Sequence, residues 1–213
     1  GPLMRLSPTA GSPPAGVDLL VSAVDKAQDP TTMALTGGRH AKEDGMADER
    51  LRLMDRLAEE RSELMRLLLR LDRSKLTEVS FLDGWTIKDM LAHIAAWDRW
   101  EHQQMERMLE GGAPEHVAPE RFNEVVVTQS KEEPLDEVVQ DVRDARRAWV
   151  AWLEDVPDEP FFRSRPHDEW DWAFPSCLRI QWEHDAEHAA QVAAWREAYG
   201  SDHGGGPKSV LVG

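Results

Sequence analysis

The chain has 213 residues, of which 41% are hydrophobic and 31% charged, and its formal net charge is −15. These values are typical of one soluble domain with appendages, and no apolar run approaches the roughly 20 residues that a membrane span needs. The acidic surplus disfavours nucleic acid as a partner, because such binding depends on Lys and Arg that neutralise phosphates. A single cysteine, Cys177, excludes an internal disulfide framework and leads us to expect a cytoplasmic protein.

Both ends of the chain differ in composition from its centre. Residues 1–46 are rich in Pro and Gly, which predicts a flexible N-terminal extension. Its first three residues, before Met4, resemble the remnant of a cleaved tag. Residues 201–213 form a second Gly-rich tail, so we expect the compact domain to span residues 47–200.

Two amphipathic helices are predicted in the first half of this domain. From Ala47 onward, apolar residues recur at steps of three and four, which is the period of a helix with one buried face. The second helix has clear boundaries. Thr86 and Asp89 form a capping-box pattern at its start, and Gly111-Gly112 ends it.

Two further helices are predicted after a long connection. They span Leu135 to Glu154 and the segment from Pro175 to Gly200. The segment from Gly111 to Glu133 is much longer than a hairpin between adjacent helices needs, and we interpret it as a crossover. The sequence therefore predicts an all-α four-helix bundle with a long crossover between helices two and three. This crossover would place helices two and four side by side.

Three histidines of these helices form a candidate metal site. His184 and His188 are four residues apart, so they share one face of the fourth helix at about 6 Å. His93 lies on the core-facing stripe of the second helix. Three neutral imidazoles would leave a divalent ion with open positions, which can lower the pKa of bound water to about 7. The alternative is a set of core histidines satisfied by backbone carbonyls.

Other candidate site residues are one carboxylate and three tryptophans. Glu101 lies two turns beyond His93 and is a candidate general acid or base, with a solvent-exposed carboxylate as the alternative. Trp97 follows His93 by one turn, and Trp170 and Trp172 lie in the loop before the fourth helix. These aromatic rings are candidate contacts for a hydrophobic substrate, or they cover the core.

The segments Gly84–Trp97 and His184–Trp195 resemble the second- and fourth-helix motifs of the DinB/YfiT-like superfamily, particularly its ClbS/DfsB group. The resemblance covers roughly residues 47–200 and implies a divalent metal, zinc or nickel, bound by His93, His184 and His188. It also implies a low-molecular-weight thiol as a candidate cofactor. The chain departs from the ClbS-like pattern at Ile180, Gln181 and Asp185, so substrate specificity does not carry over.

The resulting hypothesis is a metal-dependent hydrolase or thiol-dependent transferase that acts on an electrophilic small molecule. Detoxification of, or resistance to, a reactive natural product is the corresponding role. One alternative is a binding protein that sequesters such a compound without converting it. The other is a structural or interaction bundle in which the histidines only consolidate the core. Apolar residues left on the outside of the bundle would favour a homodimer.

Overall fold

The computed structural model describes the backbone of residues 30–69, 71–82, 84–167 and 170–199. Side chains are described from residue 45 to residue 198 within these ranges, except at residue 170. The chain divides into two units, Gly1–Arg39 and His40–Gly213, and the three candidate metal-binding histidines lie in the second. Residues 1–29 of the predicted extension and the predicted tail 201–213 lie outside the described residues.

Four long helices build the bundle, as predicted. The described elements are α1 (Pro30–Leu68), α2 (Arg73–Thr77), α3 (Ile87–Leu109), α4 (Pro119–Ser130), α5 (Leu135–Asp155), α6 (Asp158–Phe162), β1 (Pro166–His167), β2 (Trp170–Asp171) and α7 (Phe174–Tyr199). Helices α1, α3, α5 and α7 correspond to the four predicted ones. The strands β1 and β2 pair antiparallel over two residues each, so the fold class remains all-α.

The start of α3 confirms the predicted capping box. The backbone N–H of Asp89 donates to the hydroxyl of Thr86 over 3.2 Å, and the N–H of Thr86 donates to a carboxylate oxygen of Asp89 over 2.8 Å. Both contacts satisfy donors that a helix start leaves without intrahelical partners. At the other end, Gly111 adopts a φ of 87°, which favours glycine and ends the helix. These two boundaries fix the position of His93 in the second turn of α3.

The predicted crossover contains a helix that we did not expect. Residues 119–130 form α4, which begins with Pro119 in its first turn and packs against α3. Of its side chains, only Val127 and Ser130 are buried. We interpreted the whole segment as a crossover, so this helix was not predicted. At its end, the ammonium of buried Lys88 donates to the carbonyl oxygens of Ser130, Lys131 and Glu133 at 2.9–3.0 Å. Lys88 therefore fastens the end of α4 to α3.

The first helix also begins earlier than predicted. Helix α1 starts at Pro30, ahead of the expected start at Ala47. Gly37, Gly38 and Gly45 lie inside it, although each glycine lowers helix propensity by about 1 kcal/mol relative to alanine. The prediction from composition and helix propensity therefore placed the start of this helix too late. The short elements α2, α6, β1 and β2 were not predicted either, because segments of two to five residues carry no periodic pattern.

The interior consists of two apolar clusters with a layer of charged side chains between them. One cluster joins Leu64, Leu91, Val138 and Val192 with their neighbours, and the other joins Leu57, Met105, Trp149, Phe161 and Phe174 with theirs. Each long helix contributes a buried charged residue to this layer, at a position between those that enter the two clusters. These four residues are Arg61, Asp98, Arg146 and Asp185, and all are buried.

Candidate metal centre

Three imidazole rings converge in the interface between α3 and α7, as the sequence predicts. One ligand atom each from His93, His184 and His188 can be chosen so that all lie within 4.8 Å of one another. The Nε2 atom of His184 lies 2.8 Å from Nε2 of His93 and 3.0 Å from Nε2 of His188. His93 and His188 are buried and His184 is half-buried. The helical spacing of four residues places the two α7 histidines on one face, opposite His93 of α3.

Two side-chain amides orient this histidine triad. The Nδ1 atom of His93 lies 3.0 Å from Oδ1 of Asn123, and Nδ1 of His188 lies 2.8 Å from Oε1 of Gln191. An amide oxygen only accepts hydrogen bonds, so both Nδ1 atoms carry the proton and both Nε2 atoms present a lone pair. The lone pairs of His93 and His188 both point at Nε2 of His184, which can offer at most one proton. A divalent cation among the three Nε2 atoms would satisfy this donor set.

Burial keeps the three imidazoles neutral near pH 7. Burial, with a smaller effect of the neighbouring imidazoles, lowers the pKa of His93 to about 4 and the pKa of His184 to about 2. Burial also lowers the pKa of His188. A neutral imidazole is the form that binds a metal, so the environment of the triad favours ligation over protonation.

Asn123 also connects the triad to the tryptophans. Its Oδ1 accepts a hydrogen bond from Nε1 of Trp97 over 3.0 Å, in addition to the bond from His93. The rings of Trp97 and His93 meet edge to face with centroids 6.3 Å apart. On the other side, the ring of Trp85 lies 5.2 Å from that of His93. Asn123 belongs to the unpredicted helix α4, which explains why sequence reasoning gave it no role.

A cavity of about 550 Å³ lies on the far side of Trp97. This volume lies within the range of small-molecule sites in proteins. Trp97 and Trp172, two of the candidate substrate contacts, line it together with Trp100. Its other lining residues are Glu115, His116, Val117, Pro119, Asp171, Ser176, Cys177, Arg179 and Ile180. Trp170 lies in β2, opposite His167, and its side chain is outside the described part of the chain.

Glu101 is buried near the cavity, and not solvent-exposed as the alternative reading had it. Burial raises the pKa of Glu101 to about 7, although a hydrogen bond from Gln181 opposes this shift. Its Oε2 atom has no hydrogen-bond partner among the described residues. Eight residues along α3 separate it from His93 by about 12 Å, at about 1.5 Å per residue. This separation exceeds the reach of direct proton transfer to a group held at the triad.

The cysteine of the cavity wall does not behave as a nucleophile. Cys177 is only 1% exposed, and burial raises the pKa of its thiol. The thiolate is the reactive form, so at neutral pH this side chain is an inert part of the wall.

The charged layer of the core forms an ion-pair network that the sequence did not reveal. Arg61 donates to Asp98 over 3.0 Å and to Asp185 over 2.9 Å. Arg146 donates to the same two carboxylates over 2.7 Å and 3.1 Å. We call these four residues the Arg–Asp quartet. Burial works to raise the pKa of Asp98, but Arg146 and Arg61 outweigh it and hold that pKa below its ordinary value. Asp185 directly follows His184, so the quartet supports the segment of α7 that carries two of the three histidines.

The fold and the site together define a four-helix bundle with three buried histidines in the interface of two helices. A sequence profile of the DinB superfamily matches residues 56–192, and the chain belongs to that superfamily. The matched range contains His93, His184 and His188. No curated protein matches the chain in sequence.

Solved structures share this fold at low sequence identity. The chain resembles YfiT from Bacillus subtilis, described as a probable metal-dependent hydrolase with an unusual four-helix bundle topology, at 18% identity and a TM-score of 0.59 over 72% of this chain and 89% of YfiT. It resembles the sibling lethal factor precursor DfsB at 16% identity and a TM-score of 0.59 over 70% of this chain and 95% of DfsB. It also resembles a mycothiol-dependent maleylpyruvate isomerase at 17% identity and a TM-score of 0.58. That match covers 67% of this chain and 60% of the isomerase.

Among the described residues, no helix combines the length and the apolar character that crossing a bilayer requires.

Proposed function

We propose that this protein is a metal-dependent enzyme whose centre is held by His93, His184 and His188. The observation that supports this most directly is the orientation of the imidazoles. Asn123 and Gln191 hold the protons on two Nδ1 atoms, so the Nε2 lone pairs meet at one point. Packing alone gives no reason to bring neutral imidazole lone pairs together in a buried interface.

Each surrounding residue has a defined part in this proposal. A divalent ion, zinc or nickel, would retain its full charge among three neutral ligands and would activate a bound water or thiol. Asn123 and Gln191 keep the proton on Nδ1 of His93 and His188 and fix the ring planes. The rings of Trp97 and Trp85 pack against His93, which is buried. The cavity beyond Trp97 would hold the substrate.

We further propose that the substrate is an electrophilic small molecule. An activated water would make the protein a hydrolase, and an activated low-molecular-weight thiol would make it a transferase. Two structural relatives support these options, since one is described as a probable metal-dependent hydrolase and the other as an isomerase that depends on the thiol mycothiol. Conversion of a reactive compound would serve detoxification or resistance.

Metal content is the direct test. The purified protein is supplemented with zinc or nickel and dialysed, and the bound metal per chain is then measured by elemental mass spectrometry. We expect about one equivalent in the wild type and a large loss in His188→Ala. His167→Ala, a histidine of β1 that takes no part in the triad, is the matched control. A wild type without metal after supplementation would contradict the proposal.

The alternative of sequestration is supported by the same cavity, since a site can bind a compound without converting it. Incubation with a panel of electrophiles, with and without a low-molecular-weight thiol, separates the two functions. Mass spectrometry of the recovered compound shows a hydrolysis or thiol product for an enzyme and unchanged compound for a binding protein.

A purely structural role for the histidines is the third reading. It predicts that the variant with alanine at positions 93, 184 and 188 loses stability but retains all small-molecule binding and conversion. The enzyme proposal predicts loss of conversion in each single variant while the circular dichroism spectrum stays unchanged.

A further inference from the structure

The cavity beyond Trp97 combines three indole rings at different angles. The rings of Trp97 and Trp100 meet at 76° with centroids 5.3 Å apart, and those of Trp100 and Trp172 meet at 58° with centroids 6.4 Å apart. Each of the three side chains is half-buried. Mutually inclined rings present their faces and edges to one enclosed space, which is the arrangement found in aromatic cages that bind ammonium groups.

Among the described residues, the arginine side chains that make cation–π contacts do so with rings other than these three indoles. There are three such arginines in this part of the chain. Arg50 lies over Phe161, Arg146 over Trp149 and Arg165 over Phe174. Phe122 packs against Trp97 with ring centroids 4.7 Å apart, so the rings of Trp100 and Trp172 offer the larger open surface to a cation from outside.

The charges of the cavity wall and of the whole chain also favour a cation. Two carboxylates, Glu115 and Asp171, line the cavity, against one arginine, Arg179. The guanidinium of Arg179 lies 3.8 Å from Glu183, and the carboxylate of Glu115 forms an ion pair with Arg107, so each of these two charges is offset. Hydrogen bonds from the Ser164 hydroxyl and the Arg165 N–H lower the pKa of Asp171, which therefore remains ionised. The formal net charge of −15 adds a general attraction for cations.

We propose that this cavity selects organic cations, and that the substrate carries an apolar ammonium group that Trp97, Trp100 and Trp172 bind by cation–π contacts. This inference rests on the proposed function in that it assigns the cavity to the substrate. Because Trp97 shares Asn123 with His93, a cation held against Trp97 lies on the side of the cavity next to the triad.

The test compares choline with its uncharged isostere 3,3-dimethylbutan-1-ol, which has the same shape. Binding of each compound to the zinc-supplemented full chain is measured by titration calorimetry and by the shifts of indole N–H signals in NMR spectra. We expect choline to bind about tenfold more tightly, the preference that a cation–π interaction of intermediate strength provides. Trp100→Leu should reduce choline binding to the level of the alcohol. Trp182→Leu, a half-buried tryptophan of α7 outside the cavity lining, is the matched control.

Two results would overturn the inference. Equal affinity for choline and the alcohol would mean that the cavity selects shape and not charge. Choline binding that survives Trp100→Leu would place the cation elsewhere. Metal content of the same samples keeps the two proposals apart, because Trp100 takes no part in the triad. A wild type that prefers choline but binds no metal would retain the cation site and refute the metal centre.

Discussion

Asn123 acts on two neighbours through a single oxygen atom. Its Oδ1 accepts from His93 Nδ1 and from Trp97 Nε1, each over 3.0 Å. A hydrogen bond of this kind fixes the tautomer and the ring plane of a ligand histidine. The residue therefore links the orientation of a proposed metal ligand to the wall of the cavity.

Replacing Asn123 tests this link. We expect Asn123→Ala to weaken metal binding about 10- to 100-fold, as observed when partners of ligand histidines are removed. Competition with a chromophoric chelator measures this affinity. Thr128→Ala, an exposed substitution on the same helix, should leave it unchanged. An unaltered affinity in Asn123→Ala would show that Asn123 does not position the triad.

Glu101 gives the stability of the protein a dependence on pH. Its pKa rises to about 7 in the folded protein, against about 4.3 in an unfolded chain. The folded state therefore retains this proton between these two values, and the associated stability is lost as the pH rises through about 7. At pH 8 we expect the free energy of unfolding of Glu101→Gln, measured by urea titration, to exceed that of the wild type by a few kcal/mol. This difference should shrink toward pH 4.5.

The variant Glu101→Gln also tests a role of Glu101 in catalysis, which stays a prediction. Glu110→Gln, an exposed carboxylate at the end of the same helix, is the reference for both measurements. Loss of conversion in Glu101→Gln without loss of metal would support the role, through a relay that spans the distance to His93. If the free energies of unfolding of wild type and Glu101→Gln differ by the same amount at all pH values, the raised pKa of Glu101 is contradicted.

At the scale of the element, the helix in the crossover matters most. Helix α4 supplies Asn123 to the triad, yet few of its side chains are buried. Its position therefore depends on polar contacts, foremost the three carbonyl oxygens that accept from Lys88. Sequence reasoning found the long helices because each has a strong apolar stripe or a clear cap. It missed α6 and the β1–β2 pair because these elements are too short to carry a periodic pattern, and it missed α4 because the whole segment was interpreted as a crossover.

Removing the ammonium of Lys88 should loosen the end of α4. We expect Lys88→Met to lower the free energy of unfolding by about 2 kcal/mol, because it leaves buried carbonyl groups without a charged donor. Hydrogen exchange should accelerate in residues 119–130 more than in α3. Lys75→Met, a substitution in the short helix α2, provides the comparison. Equal protection of α4 in wild type and Lys88→Met would refute the fastening role.

At the scale of the whole molecule, the Arg–Asp quartet joins all four long helices. Each helix contributes one member, and the two positive and two negative charges balance. The sequence could not reveal this network, because an isolated Arg or Asp on an amphipathic helix reads as a surface residue. The cavity was equally hidden, since its lining comes from α3, the segment after it, the β-hairpin and α7. The triad was accessible because two of its members share a helix face and the third lies on a core stripe.

Breaking the quartet should be costly. We expect Asp98→Ala to lower the free energy of unfolding by about 3–5 kcal/mol, because two buried guanidinium groups then share one carboxylate. Asp141→Ala removes the exposed partner of Arg99 and should cost less than about 1 kcal/mol. Urea titration of both variants measures the contrast. A similar small cost in both variants would mean that the buried charges are not held by one another.

The quartet also has a consequence for the order of events during folding. Until the last of the four helices docks, at least one guanidinium or carboxylate in the closing interface lacks a counter-charge. A three-helix assembly would bury that charge or stay open to water, and either outcome raises its free energy. We therefore expect partly assembled forms of the bundle to remain sparsely populated, so that spectroscopic probes on different helices report one concerted transition. A truncated chain that lacks α7 should not form a stable remnant.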